Sequence, residues 1–431
     1  MKAIKPILFL RNHFWFIPAL YGTISVVLAI ATALLDQFLH IHLFLINKSL
    51  AQSLLSTIAS SLLTMTTISF STIMVVLTTY LSQFSPRTMQ DFLTDINTQR
   101  ILGVFIGGFL YSLILLLLLQ NDKGDYFISP IFAVFYAMIC VGFFVFFIHH
   151  VGKWIQVSNL MHHITSKTIH AVHQYYEDEE LTTRDEPWKD WESEEIKLTD
   201  PLYIQANHSG YLLVIEIDEL IAQASADDSI VKVEVSLGDY IEKGMSLLSY
   251  WGNRDKVDHK QYRKSFHLAD ERATIQDIDF GLTKLVEITL RALSPGINDP
   301  NTAINGIKAL ARILSTLASK NLHRSYYNDD YKSLRVINKQ RSFSDYLYRC
   351  YYQIKHYGIE DISVVAAMID SLALIASQNN QEIKQLIWDF SQYIQLAIHS
   401  ETLLDLDRSF INSKLKKLAI QTNQFNHFKP L

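Results

Sequence analysis

Between residues 53 and 85 the chain places 15 serines and threonines in 33 positions. Their spacing is what gives them chemical interest. Alternating steps of four and three from Ser53 reach ten positions, and eight carry hydroxyls: Ser53, Thr57, Ser60, Thr64, Thr67, Ser71, Thr78 and Ser85. Met74 and Leu81 interrupt the series. A period of 3.5 residues gathers these groups along one seam of a helix. Such a seam has two uses. Small hydroxyl residues let backbones approach and bond across helices or back to the i−4 carbonyl. Turned instead toward a common axis, the same groups line a path for water or ions. Packing is the simpler account, and the two are compatible if copies of the chain associate through one edge of the stripe.

A second polar constellation lies in "EITLRALSPGINDP", residues 287–300. Pro295 and Gly296 are expected to end one helix, with Gly296 taking a positive φ. Asp299 is placed to cap the next helix, with Pro300 in the favoured first position. Arg291 follows Glu287 by one turn, which suits an i,i+4 ion pair. Asn298 and Arg291 are less readily explained by turns alone. With Ser294 they suggest a polar pocket at a helix N-terminus that would suit an anionic ligand, although Asp299 opposes that charge. The architectural role is the preferred reading.

Other candidates are weaker. His149, His150, His162, His163, His170 and His173 crowd one stretch, but carboxylate or thiolate companions at ligand spacing are missing, so a solvated or partner-facing helix is expected rather than a metal site. His208 adjoins Ser209 in "NHSG", and neighbours on a strand point to opposite faces, so they form no dyad. No P-loop, Gly-x-Ser-x-Gly, His-Glu-x-x-His or dinucleotide fingerprint occurs. The 2 cysteines, Cys140 and Cys350, offer neither a disulfide framework nor a thiolate site. The expectation is a protein without catalytic residues, metal or cofactor.

The elements that carry these groups begin in lipid. Charge-free runs at roughly 14–35, 54–81, 101–119 and 131–148 each reach the ~20 apolar residues a bilayer crossing needs. The first lacks a small-residue cleavage site and reads as a retained span. No span holds Asp, Glu, Lys, Arg or His in its interior, which argues against a proton- or ion-coupled pump. Gly103 and Gly107 stand in GxxxG register in the third, a helix-packing face. Lys2, Lys5, Arg11, Arg87, Arg100, Lys153 and Lys167 lie on one side of the membrane, against Lys48 and Lys123 on the other, so both termini are expected in the cytoplasm.

Span four is expected to run on into a juxtamembrane helix. Residues 177–195 then hold ten acidic and two basic side chains, a solvated linker whose sign disfavours nucleic acid and anionic headgroups. "LYIQA", "GYLLVI", "SIVKVEV" and "LGDYIEKGMSLLSYWG" read as strands and turns of a small β unit. From about residue 272 the pattern turns helical, with Leu282, Leu285, Val286, Leu290 and Leu293 on one stripe. The expected fold is mainly α. A four-helix transmembrane region (1–150) leads through a juxtamembrane helix and acidic linker (151–197) to a small β-barrel-like unit (198–252) and an α-helical cytoplasmic domain (253–431).

Three segments carry a resemblance: "ERATIQDIDFGLTKLVEITLRALSPGINDPNTAINGI" (271–307), "SQFSPRTMQDFLTDINTQRILGVFIGGFLYS" (82–112) and "GDYIEKG" (238–244). On these the sequence resembles the bacterial predicted-membrane-protein family called domain of unknown function 2254. The resemblance implies a multi-pass protein of the inner membrane and supplies no activity. The expected function is a homo-oligomeric passive channel with the Ser/Thr-rich second span near its axis and a regulatory cytoplasmic domain. The alternative is a membrane-anchored scaffold or sensor that binds a ligand or protein through its cytoplasmic helices. The expected partners are the bilayer, further copies of the chain and a cytoplasmic ligand or protein, with no nucleic acid.

Overall fold

The computed structural model describes residues 14–38, 46–121, 126–176, 200–270, 272, 277–322, 325–338, 341–399, 401 and 403–431. The acidic run at 177–195 therefore lies outside the described residues. The chain divides into two units, Met1–Leu160 and Met161–Leu431.

The first unit is built on four long apolar helices: α1 (Phe16–Phe38), α2 (Lys48–Gln83), α4 (Ile96–Asn121) and α5 (Ser129–Trp154). All four are long and apolar enough to cross a bilayer. A short α3 (Met89–Leu93) precedes α4, and the two-residue strands β1 (Ile46–Asn47) and β2 (Tyr126–Phe127) pair antiparallel. That pairing ties the start of α2 to the start of α5. The central element is α4, against which α1, α2 and α5 all pack.

Glycine makes that close approach feasible. A methyl group at Gly107 would sit 2.5 Å from Ser25 Oγ and 2.7 Å from Tyr136 Oη, and one at Gly108 would sit 2.6 Å from Tyr136 Cε1. The GxxxG face is thus a packing face. Polar groups caught in it bond to each other. Ser25 Oγ lies 3.1 Å from Tyr136 Oη, Thr32 Oγ1 lies 3.0 Å from Tyr111 Oη, and the rings of Tyr111 and Tyr136 stack 5.7 Å apart.

Helix α5 does not run unbroken into the next segment. It stops at Trp154, and α6 (Val157–Tyr175) starts anew. Asn159 Nδ2 donates to the Lys153 carbonyl at 3.0 Å, supplying one of the partners a helix end requires.

The second unit combines two open sheets with a helical layer. Its strands are β3 (Leu202–Gln205), β4 (Gly210–Ile215), β5 (Ile230–Val233), β6 (Tyr240–Ile241), β7 (Ser246–Trp251), β8 (Phe266–Ala269), β9 (Tyr326–Asn328) and β10 (Leu334–Ile337). One sheet has the order β3-β7-β5-β10-β9 and the other β6-β4-β8. Neither closes among the described residues, so the barrel-like form expected from the turn pattern is not confirmed. A pairing distant in sequence extends the larger sheet: β10 joins β5 in parallel, with Val336 opposite Val231. Helices α7 (Ile217–Ala226) and α8 (His259–Lys264) complete this part. Ile204, Leu212, Leu220, Val231, Leu248 and Tyr262 form its core. The helical layer comprises α9 (Ile278–Leu293), α10 (Pro300–Ala318), α11 (Phe343–Gly358), α12 (Ile362–Ser377), α13 (Gln381–Gln395) and α14 (Asp405–Gln421). α9 packs on α10 and α11, while α12 packs on α10 and α14.

Gly107→Leu overpacks the α1/α4/α5 contact and is expected to cost about 1–3 kcal/mol. Gly142 has nothing within 4 Å of an added methyl, so Gly142→Leu serves as the matched control. Thermal unfolding of both variants in detergent reads the difference, and equal melting temperatures would refute the contact.

Candidate functional site

The hydroxyl stripe turns its back on the chain's own bundle. The buried face of α2 runs through Ala51, Leu55, Ala59, Leu62, Thr66, Ser69, Ile73 and Val76. Ser53, Thr57, Ser60, Thr64, Thr67, Ser71 and Thr78 follow that face by about two residues, roughly 200° around the helix, and all seven are exposed. Thr66 and Ser69, which fall off the stripe, are the buried hydroxyls among the described residues of α2. The threonines satisfy their protons locally. Thr57 donates to the Ser53 carbonyl at 2.8 Å, Thr64 to Ser60 at 2.9 Å, Thr67 to Leu63 at 2.9 Å and Thr78 to Val75 at 2.8 Å. Ser85 lies past the end of α2. It is buried and caps the 3-10 turn Pro86–Thr88, its Oγ accepting from the Arg87 amide at 3.2 Å.

Histidine placement corrects one expectation. His150 is buried, with Nε2 3.1 Å from Asp95 Oδ2 and 3.1 Å from Thr98 Oγ1. The last turns of α5 still face α3 and α4, so this ring is enclosed rather than solvated. His149, His162, His170 and His173 are exposed and His163 is half-buried. His208 Nδ1 meets Asn207 Oδ1 at 2.6 Å, while Ser209 Oγ accepts from the Lys243 amide at 3.0 Å.

The 294–300 loop is a helix exchange. α9 ends at Leu293, because the residue before a proline avoids the helical region and Ser294 is extended at ψ 144°. The positive φ sits at Asn298, at 48°, and not at Gly296 as expected. Asparagine tolerates that conformation, which accounts for Asn298 without a ligand. Its amide donates to the Ser294 carbonyl at 2.9 Å, and the Asp299 amide to Ala292 at 2.8 Å. Asp299 caps α10 through the Thr302 amide at 3.1 Å, and the Thr302 bonds hold its carboxyl below the ordinary range. Pro300 is the first residue of α10. Arg291, Pro295, Gly296 and Asn298 are exposed, and Glu287 and Ser294 are half-buried. The loop is a surface turn.

Buried charge gathers at the other end of α9. Asp277 is 1% exposed and caps that helix, with Oδ1 accepting from the Phe280 amide at 3.0 Å. Arg272 reaches its Oδ2 through Nε at 2.8 Å and Nη2 at 2.6 Å. Asp279, two residues on, pairs with Arg341 and with Arg349, the latter at 3.1 Å. Arg272 and Lys284 both lie over the Phe280 ring, at 5.1 and 4.5 Å. Gly238 adopts φ 83°, and a methyl group there would run into Arg272 Nη2 and lie 2.6 Å from Asp277 Oδ2. Two of the sequence signatures, "GDYIEKG" and "ERATIQDIDFG", therefore converge on one buried ion pair.

Beside this pair is a cavity of about 130 Å³, lined in part by Tyr176, Tyr327, Tyr346, Asn338, Asp279 and Arg341. The hydroxyls of Tyr176 and Tyr346 bond to each other. Burial pushes the carboxyls of Asp277 and Asp279 above their ordinary 3.8, and the nearby guanidinium groups draw them back only in part. No spacing rule finds this site, because its residues come from five separate segments.

The family described as "Predicted membrane protein (DUF2254)" matches residues 11–374. An uncharacterized protein of Mycobacterium bovis and one of Mycobacterium tuberculosis are each 29% identical to the chain over 336 residues. The match covers 76% of this chain and 64% of theirs, so the chain spans less than two thirds of those relatives' length. No solved structure matches.

Two outcomes follow from the charge cluster. Gly238→Ala strains a left-handed residue against the Arg272–Asp277 pair and is expected to cost about 1–3 kcal/mol in thermal melts. For Asp279, a raised carboxyl means that the folded state binds more protons than the unfolded chain above the ordinary value of 3.8. Unfolding free energy then falls as pH rises through that window. The melting temperature of wild type minus that of Asp279→Asn should accordingly decline from about pH 4 upward, and a rising difference would contradict the burial effect.

Proposed function

The chain belongs to the DUF2254 family of predicted membrane proteins, and from that premise we propose a passive, non-enzymatic conduit assembled from several copies in the bacterial inner membrane. In this reading the outward hydroxyl faces of α2 turn toward a shared axis, both termini are cytoplasmic, and the second unit regulates the first. One observation carries it: Thr57, Thr64, Thr67 and Ser71 point away from every other span of the same chain. Packing within one chain therefore does not account for the stripe.

The chemistry of such a face is defined by its acceptors. A threonine that gives its proton to its own helix keeps the oxygen lone pairs for outside donors. A row of acceptors with no formal charge favours water and cations over anions, and does so weakly. Met74, 60% exposed within the series, would be an apolar constriction on that path.

A second reading, a membrane-anchored ligand sensor, is favoured by the cavity beside Asp279 and Arg341. It places the ligand at the N-terminal end of α9 and leaves the Arg291–Asn298 surface as a turn.

Single cysteines at Thr57, Thr64 and Ser71 separate water from lipid. In native membranes, a hydrophilic thiol reagent is expected to label all three, and bilayer recordings of the purified protein to show currents that Thr64→Leu reduces severalfold. Labelling only by a lipophilic reagent, together with silent recordings, would sink the conduit.

A further inference from the structure

We propose that the cavity at the N-terminal end of α9 binds a small, uncharged, planar heterocycle of single-ring size whose edge presents both a hydrogen-bond donor and an acceptor. The inference deepens the sensor reading of the second unit and is independent of the conduit.

Size comes first. At about 130 Å³ the space is close to the ~150 Å³ of an apolar cavity that accepts benzene. It holds one ring or a handful of waters. Its walls supply aromatic faces from Tyr176, Tyr327 and Tyr346, the surfaces on which flat rings stack.

Charge decides what kind of ring. The ionised groups on the walls bring their own counterions: Asp277 is held by Arg272, and Asp279 by Arg341 and Arg349. An ionic ligand would have to break these pairs or lie among them without a counterion of its own, and both are costly. An uncharged ligand faces neither penalty.

Hydrogen-bond capacity decides its edge. Both guanidinium groups contact Asp279 through Oδ2, and among the described residues Oδ1 takes no bond. Arg341 donates only to Asp279 among the described residues, while its guanidinium carries five N–H groups. The Asn338 side chain has no partner among them either, and an amide both donates and accepts. An acceptor, a set of donors and an amide thus line the same small space. These atoms are reached by solvent in the free protein, and a ligand that only donates or only accepts would displace that water from some of them without replacing its bonds, which weakens binding. Exposed Ser236 marks where the cavity reaches the surface.

The test uses the full chain in detergent, with uracil as the probe and benzoate and benzylamine as charged rings of similar size. Uracil is expected to raise the melting temperature with rising concentration, and the charged rings to have no effect. Asn338→Leu should weaken uracil binding about tenfold, the value of one hydrogen bond, without lowering the ligand-free melting temperature. Tyr327→Leu, which removes a ring from another strand, should weaken it as well, so that the result does not hang on one variant's folding. A larger shift with benzoate or benzylamine than with uracil would overturn the ligand class and leave the sensor reading standing. If no ring shifts the protein at any concentration, the binding site itself falls.

Discussion

A hydroxyl surrounded by hydrocarbon must find a partner inside the protein, because none is available outside it. The first unit is organised around that constraint. Where helices meet, some partners lie across the contact, as Ser25 with Tyr136 and Thr32 with Tyr111, while buried Thr66 and Ser69 bond back to Leu62 and Met65. Where α2 faces outward, the partners are carbonyls of its own preceding turn. The two solutions have different consequences. A cross-helix bond fixes which helices pack, whereas a back-bond satisfies the group and leaves the face open to any neighbour. α2 can therefore carry a polar stripe over much of its 36 residues without being held to the other spans by it.

The second unit solves a related problem with charge. Asp277 serves as a helix cap, so it must sit at the start of α9, and packing buries it there. A buried carboxylate needs a cation, which Arg272 provides, and the approach of that guanidinium needs a residue without a side chain at 238. Cap, counterion and glycine are one solution spread over three stretches of sequence.

Much of this architecture could be read from the sequence. Uninterrupted apolar runs mark the spans, alternating residues mark β3, β4, β5 and β7, and the 3.6-residue stripe of α9 is plain in Leu282, Leu285 and Val286. Other features were hidden for identifiable reasons. A period reveals that the α2 hydroxyls share a face, but not which neighbour the opposite face will choose. β9 and β10 sit among helices and become strands only because β5 offers an edge more than a hundred residues upstream. The turn chemistry around 294–300 was legible except for which residue is left-handed, since Gly296 and Asn298 both tolerate it. His150 reads as part of an exposed row until the α3–α4 turn supplies Asp95 and α4 supplies Thr98.

The parallel union of β5 with β10 bears on how the chain is born. Val231 leaves the ribosome 105 residues before its partner Val336. At roughly 5–20 residues per second, that interval is about 5–20 s. Through it β5 has β7 on one side and a bare row of amides and carbonyls on the other, the kind of edge that recruits strands from strangers. Vectorial synthesis thus makes this sheet vulnerable to misassembly until residue 337 has emerged.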